Sequence, residues 1–136
     1  MTRRKLREQI FKLLFRIEFN DISEMDEQCR LFFTVNDDSP SDKDEEYIRQ
    51  KYEAVLDKLA DIDAAINDRT KGWTTDRMSK VDLTIIRLGV YEILYDDDVP
   101  EGVAVNEAVE LAKSFGQEES YSFVNGVLKN FIGQNG

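Results

Sequence analysis

Six basic side chains, Arg3, Arg4, Lys5, Arg7, Lys12 and Arg16, crowd the first sixteen residues against one acid, Glu8. A local net of +5 suits a polyanion, because exposed charges act only over about 8 Å in physiological salt. Phe11, Phe15 and Phe19 recur every four residues beside Arg4, Arg7 and Lys12, and Phe123 stands near the other end of the chain. The Phe stripe on the first helix can serve as a docking strip for a partner, with the basic residues beside it holding RNA phosphates, while an aromatic such as Phe123 at a helix edge can stack on an unpaired base. Two simpler readings compete with it. The arginines fit a solvated first turn equally well, and phenylalanines are costly to expose, so the Phe stripe fits burial between two layers.

Other chemistry is excluded by residue type. The chain has 136 residues, no histidine and a single cysteine, Cys29. Ser-His-Asp and Cys-His catalysis are impossible, as is a structural zinc site of Cys and His ligands. The absence of histidine thus argues against the commonest catalytic chemistry. Cys29 reads as a partly buried apolar residue, since Asp26 and Glu27 oppose its thiolate. One cysteine and no apolar run near 18 residues predict a cytoplasmic protein that does not enter a membrane. The formal charge is −10, an unpromising balance for a nucleic-acid binder. It divides into +5 over residues 1–16 and −15 over the remainder, a small basic end on an acidic body.

The elements that must position these residues are helices. Turn-forming stretches at 36–44, 70–75, 96–102 and 116–118 separate segments of 3.6-residue apolar spacing, and no strand is predicted. Helices are expected near 3–20, 22–34, 44–69, 79–96, 103–115 and 119–132, with a short helical turn around 74–78. Two three-helix groups, about 1–70 and 71–136, meeting near Trp73 give an all-α single domain.

Leu6, Ile10, Leu13, Leu14 and Ile17 form a core stripe on the first helix, with the Phe stripe nearly opposite. Residues 81–94 are apolar nearly all round, so that helix should be central. Its Arg87 then needs a partner in a buried or half-buried ion pair, with Glu92 and Glu107 as candidates. Ser79 and Asp82 resemble a capping box, which is the simple role for Asp82. In the last helix Val124, Val127, Leu128 and Phe131 share a core face. Phe123 lies about 100° from Val124, beside Glu119 and Asn130, placed either to stack on a base or to pack on a neighbour. Gly126 in mid-helix calls for an explanation, and close helix approach would supply one.

Several long runs carry a family resemblance. Trp73 with Arg77-Met78, VDLTIIRLGVYEI (81–93), Val99-Pro100, VAVNEAVELAKSFG (103–116) and SFVNGVL (122–128) resemble the NusB family of bacterial transcription antitermination factors. RRKLREQIFKLLF (3–15) matches more loosely: the family often has a small residue at Leu6 and tyrosine at Phe15. The resemblance implies two perpendicular three-helix bundles, six to seven helices in all. It also implies binding of the single-stranded boxA element of ribosomal RNA leaders together with NusE, a small-subunit ribosomal protein. Other Nus factors and RNA polymerase complete the assembly, and some members form homodimers that cover the RNA surface. By the same resemblance Arg3, Arg4, Lys5, Arg7, Glu119 and Phe123 are RNA-contacting, and Phe15 and Asp82 face NusE. The NusB fold also occurs on RNA methyltransferases, but no glycine-rich cofactor loop is present here. A helical protein–protein adaptor without RNA binding is the alternative.

Overall fold

The computed structural model describes residues 1–133, and among them are seven α-helices and no strand. They are α1 (Arg3–Phe15), α2 (Met25–Thr34), α3 (Asp42–Asp57), α4 (Leu59–Arg69), α5 (Lys80–Tyr95), α6 (Glu101–Phe115) and α7 (Ser120–Lys129). Single 3-10 turns cover Arg16–Glu18, Ile22–Glu24 and Thr75–Arg77. No helix of the described residues is long and apolar enough to cross a membrane. Contacts group the chain into two compact units, Met1–Leu56 and a second beginning at Asp57, so α4 groups with α5 rather than with the residues before it.

In the first unit, Thr2 caps α1 by accepting the Lys5 N–H at 3.1 Å. Leu6, Ile10, Leu13 and Leu14 are buried as their spacing requires. Ile17 is only half-buried, because the α-helix ends at Phe15 and the 3-10 turn shifts its phase. Arg16 holds that end against α2: Nη1 donates to the Gln28 carbonyl and side chain at 3.3 and 3.0 Å, and the guanidinium lies 5.4 Å from the Phe32 ring centre. Gln9, 1 % exposed, ties the acidic loop to α1, donating to Asp38 at 2.8 Å and accepting from Asn36 at 2.6 Å. Ser41 then caps α3 by accepting the Asp44 N–H. Cys29 is buried, and that burial pushes its thiol up despite Arg49 Nη1 at 3.3 Å from Sγ. Arg49, on α3, is a basic neighbour that sequence proximity does not reveal.

The single helix expected over 44–69 is two, broken at Lys58. Ile48, Tyr52 and Val55 are buried on α3 and Ile62 and Ile66 on α4, so the apolar spacing runs through the break undisturbed.

In the second unit α5 packs on α4, α6 and α7 and is buried nearly all round. Ser79 caps it, accepting the Asp82 N–H at 3.1 Å. Arg87 forms a half-buried ion pair with Asp63 of α4, a carboxylate outside the pair of candidates its sequence neighbourhood offers: Nε and Nη2 reach the two carboxylate oxygens at 2.9 and 2.8 Å. α6 begins at Glu101, directly after Pro100, two residues earlier than its apolar spacing indicates. Gly116 follows its last residue, and a Cβ there would meet Ser120 at 2.5 Å and the Ala112 carbonyl at 2.8 Å. Val124, Leu128 and Phe131 are fully buried and Val127 nearly so. Gly126 contradicts the close-approach expectation, since a Cβ built on it meets nothing within 4 Å. The close approach is at Gly89, where a Cβ would lie 2.8 Å from Leu128 Cδ1.

Candidate nucleic-acid interface

The four basic residues at the start of α1 are not equivalent. Arg3 and Arg4 are exposed, Lys5 is half-buried and Arg7 is 8 % exposed. Lys5 Nζ lies 3.6 Å from Asp38 and 4.0 Å from Glu8, so its charge is partly neutralised within the protein. The Met1 ammonium is held by Asp44 at 3.2 Å, a contact that keeps this carboxyl below its usual range. Arg3 has no acidic partner among the described residues.

No acidic residue occupies the first turn of α1. A helix N-terminus carries about half a positive charge and ordinarily attracts acids, each worth roughly 0.3–1 kcal/mol. Placing Arg3, Arg4 and Lys5 there forgoes that stabilisation and adds side-chain charge to exposed amide N–H groups. The arrangement suits an incoming phosphate.

The Phe stripe on α1 grades from core to surface. Phe11 is buried, Phe15 half-buried and Phe19 60 % exposed. Phe11 and Phe15 stack at 6.1 Å between centroids, and Phe15 meets Phe19 edge-on at 5.1 Å. The burial reading therefore holds for Phe11 and fails for Phe19.

In the second unit Phe123 is half-buried with its ring edge-on to Trp73, at 5.2 Å and 67°. Trp73 is 50 % exposed, not the packed centre its type suggests. Its segment is tightly held. Thr70 Oγ1 lies 2.7 Å from the Ile66 carbonyl and 2.6 Å from that of Trp73, and the Thr75 N–H donates to Asn67 at 2.8 Å. Gly72 turns the chain with φ +77°, and its carbonyl accepts from Arg77, whose guanidinium sits 5.8 Å from the Trp73 ring centre. Arg69, Lys71, Trp73, Phe123, Gly126 and Asn130 line a cavity of about 460 Å³, and no acidic side chain contributes to it. That lining contrasts with its unit, because the residues from Asp57 on carry eight basic and fifteen acidic side chains, a net of −7. Two aromatic rings, two cations and amide groups can take a flat, anionic ligand such as a nucleotide.

Sequence reasoning selected Phe123 but missed Trp73, Lys71 and Gly126. The available signal was Gly126 itself, a helix-weakening residue three positions from an aromatic. Glu119 is exposed one turn before Phe123 and does not line the cavity. Asp82 is half-buried at the start of α5. Its Oδ1 is shielded from solvent without a hydrogen-bond donor among the described residues, so capping leaves part of this carboxylate unused.

A family model described as the NusB family matches residues 4–133. The transcription antitermination protein NusB of Agathobacter rectalis is 53 % identical over 133 residues, covering 96 % of this chain and 99 % of that protein. Among solved structures, T. maritima NusB superposes with a TM-score of 0.84 at 32 % identity, covering 98 % of this chain and 92 % of the other. Antitermination factors NusB and NusE in complex with double-stranded RNA provide a further match, with a TM-score of 0.72 at 25 % identity over 96 % of this chain and 97 % of that one. With a match over nearly its whole length, an all-helical fold shared with solved members and a relative identical at more than half its positions, this chain belongs to the NusB family of non-enzymatic transcription antitermination factors.

Proposed function

We propose that the chain binds single-stranded, boxA-type RNA in ribosomal RNA leaders together with a NusE ribosomal protein. Other Nus factors and RNA polymerase complete the assembly that keeps transcription processive. The observation that carries this reading is the acid-free cavity between Trp73 and Phe123 in an otherwise acidic unit. Its rings favour an unpaired base, because a paired base has no exposed face to stack. Arg3 and Arg4 supply phosphate contacts, and the less exposed Lys5 and Arg7 weaker ones. Glu119 flanks the stacking site. Phe15 and Asp82 serve the NusE side. A surface as acidic as this one gains from a protein partner that brings positive charge of its own.

The test is fluorescence anisotropy with a labelled boxA RNA, with and without NusE, across a salt series. Phe123→Ala should weaken binding about five- to 150-fold, the value of one base–aromatic stack. Arg3→Ala with Arg4→Ala should flatten the log–log salt slope by about 1.4, two phosphates' worth for single-stranded RNA. Unchanged affinity and slope in both variants, with helical circular dichroism retained, would refute the reading and leave a helical protein–protein adaptor.

A further inference from the structure

A second cavity, of about 890 Å³, lies on the other side of α7, between it and α6. Val105 and Val109 form an apolar floor, Tyr121 and Asn125 face them from α7, and Lys113 and Lys129 stand at the rim. Acidic side chains are absent from this lining too, in the same unit of net −7. Tyr121 is 46 % exposed, and the Lys113 ammonium lies 5.7 Å from its ring centre. Lys113 also meets Glu110 at 3.7 Å, whereas Lys129 has no acidic partner among the described residues. Gly102 on α6 opens the cavity further, since a Cβ there would meet nothing within 4 Å. Ser122 lines both cavities, so α7 stands as a rib between them.

The geometry points to a second nucleotide site: an RNA strand whose one base stacks at Phe123 crosses α7 at Ser122 and lays a neighbouring base on Tyr121. The inference rests on the RNA reading of Phe123 and extends it. Three observations select this occupant over an acidic protein segment. A flat, half-exposed ring offers a stacking face. The amides of Asn106 and Asn125 present donors and acceptors together, as a base edge requires and a carboxylate does not. Lys113 and Lys129 bring positive charge to a cavity that shares Ser122 with the Trp73–Phe123 cavity.

The experiment uses the full chain and fluorescein-labelled single-stranded boxA RNA, intact or with one abasic nucleotide moved along the strand. Tyr121→Ala should weaken the intact RNA about tenfold. It should also abolish the penalty of one abasic position, adjacent to the position that Phe123→Ala silences. Lys129→Ala should lower the salt slope by about 0.7. Wild-type binding by Tyr121→Ala and Lys129→Ala, with loss in Phe123→Ala, would overturn the second site and leave the first standing. Wild-type binding by Phe123→Ala as well would remove both. Should Tyr121→Ala spare RNA and weaken NusE binding instead, the cavity is a protein site and the inference is wrong. Tyr121 and Lys129 are both exposed, so thermal melts of these variants should match the wild type.

Discussion

Substituting alanine at Gly126 should make the free protein more stable and the RNA complex weaker. Glycine in a helix interior costs about 0.8–1 kcal/mol relative to alanine, and α7 continues for three residues beyond this position. Nothing in the free protein offsets the gain, because the added Cβ meets no atom within 4 Å. A gain of about 1 kcal/mol should raise the melting temperature by roughly 3–6 °C for a chain of this length. The methyl group would project into the cavity shared by Trp73 and Phe123. A base or ribose seated against the α7 backbone would have to move by about a methyl radius, and overpacking of that kind costs about 1–3 kcal/mol. Affinity for a boxA RNA should therefore fall roughly five- to 150-fold while the melt moves upward. Calorimetry on the free protein and anisotropy titrations on the complex read the two effects independently. A higher melting temperature with unchanged affinity would show that no ligand approaches α7 at Gly126. A lower melting temperature would show that the open space is not there.

Three further substitutions or titrations probe the scaffold. Gly116→Ala should destabilise by about 1–3 kcal/mol in urea unfolding, because its Cβ would collide with Ser120 and with the Ala112 carbonyl, a backbone atom that cannot swing away. Asp63→Ala should cost about 2 kcal/mol by leaving Arg87 half-buried without its bidentate acceptor, and Asp63→Ala combined with Arg87→Met should recover part of that loss. Tyr52 is 3 % exposed, and burial, ahead of the nearby Cys29, Asp26 and Glu53, pushes its phenol up to about 12. The unfolded chain releases that proton near pH 10, so stability should fall as pH rises from 10 to 12, and Tyr52→Phe should remove that fall. An equal loss of stability over that range in Tyr52→Phe, followed by urea unfolding, would contradict the raised phenol.

Local signals made most of the helices legible. Ser79 and Gly116 stand where α5 starts and α6 stops, and Val124, Leu128 and Phe131 mark the buried face of α7 by spacing alone. The break at Lys58 was illegible for a physical reason: no glycine or proline marks it, and the apolar spacing from Ile48 to Ile66 passes through it unchanged. Partner choice was equally hidden. Arg87 needed a carboxylate, but Asp63 lies 24 residues away on another helix, and nothing local to Arg87 points to it. At the candidate interface the residue types were visible and their depth was not. Arg7 and Arg3 look alike in a basic run, yet one is buried and the other exposed. Phe123 was found because it stands off a clear core face. Trp73 was missed because large aromatics usually belong to cores.

Each compact unit is one uninterrupted stretch of chain, the first closing at Leu56. During synthesis every contact internal to that unit, including the tie from Gln9 to Asp38, joins residues already made before Asp57 is added. At roughly 5–20 residues per second, the second stretch takes about 4–16 s to follow. For those seconds Arg3 and Arg4 exist without the more acidic part of the chain. A nascent protein of this kind exposes its basic end before its aromatic cavity exists.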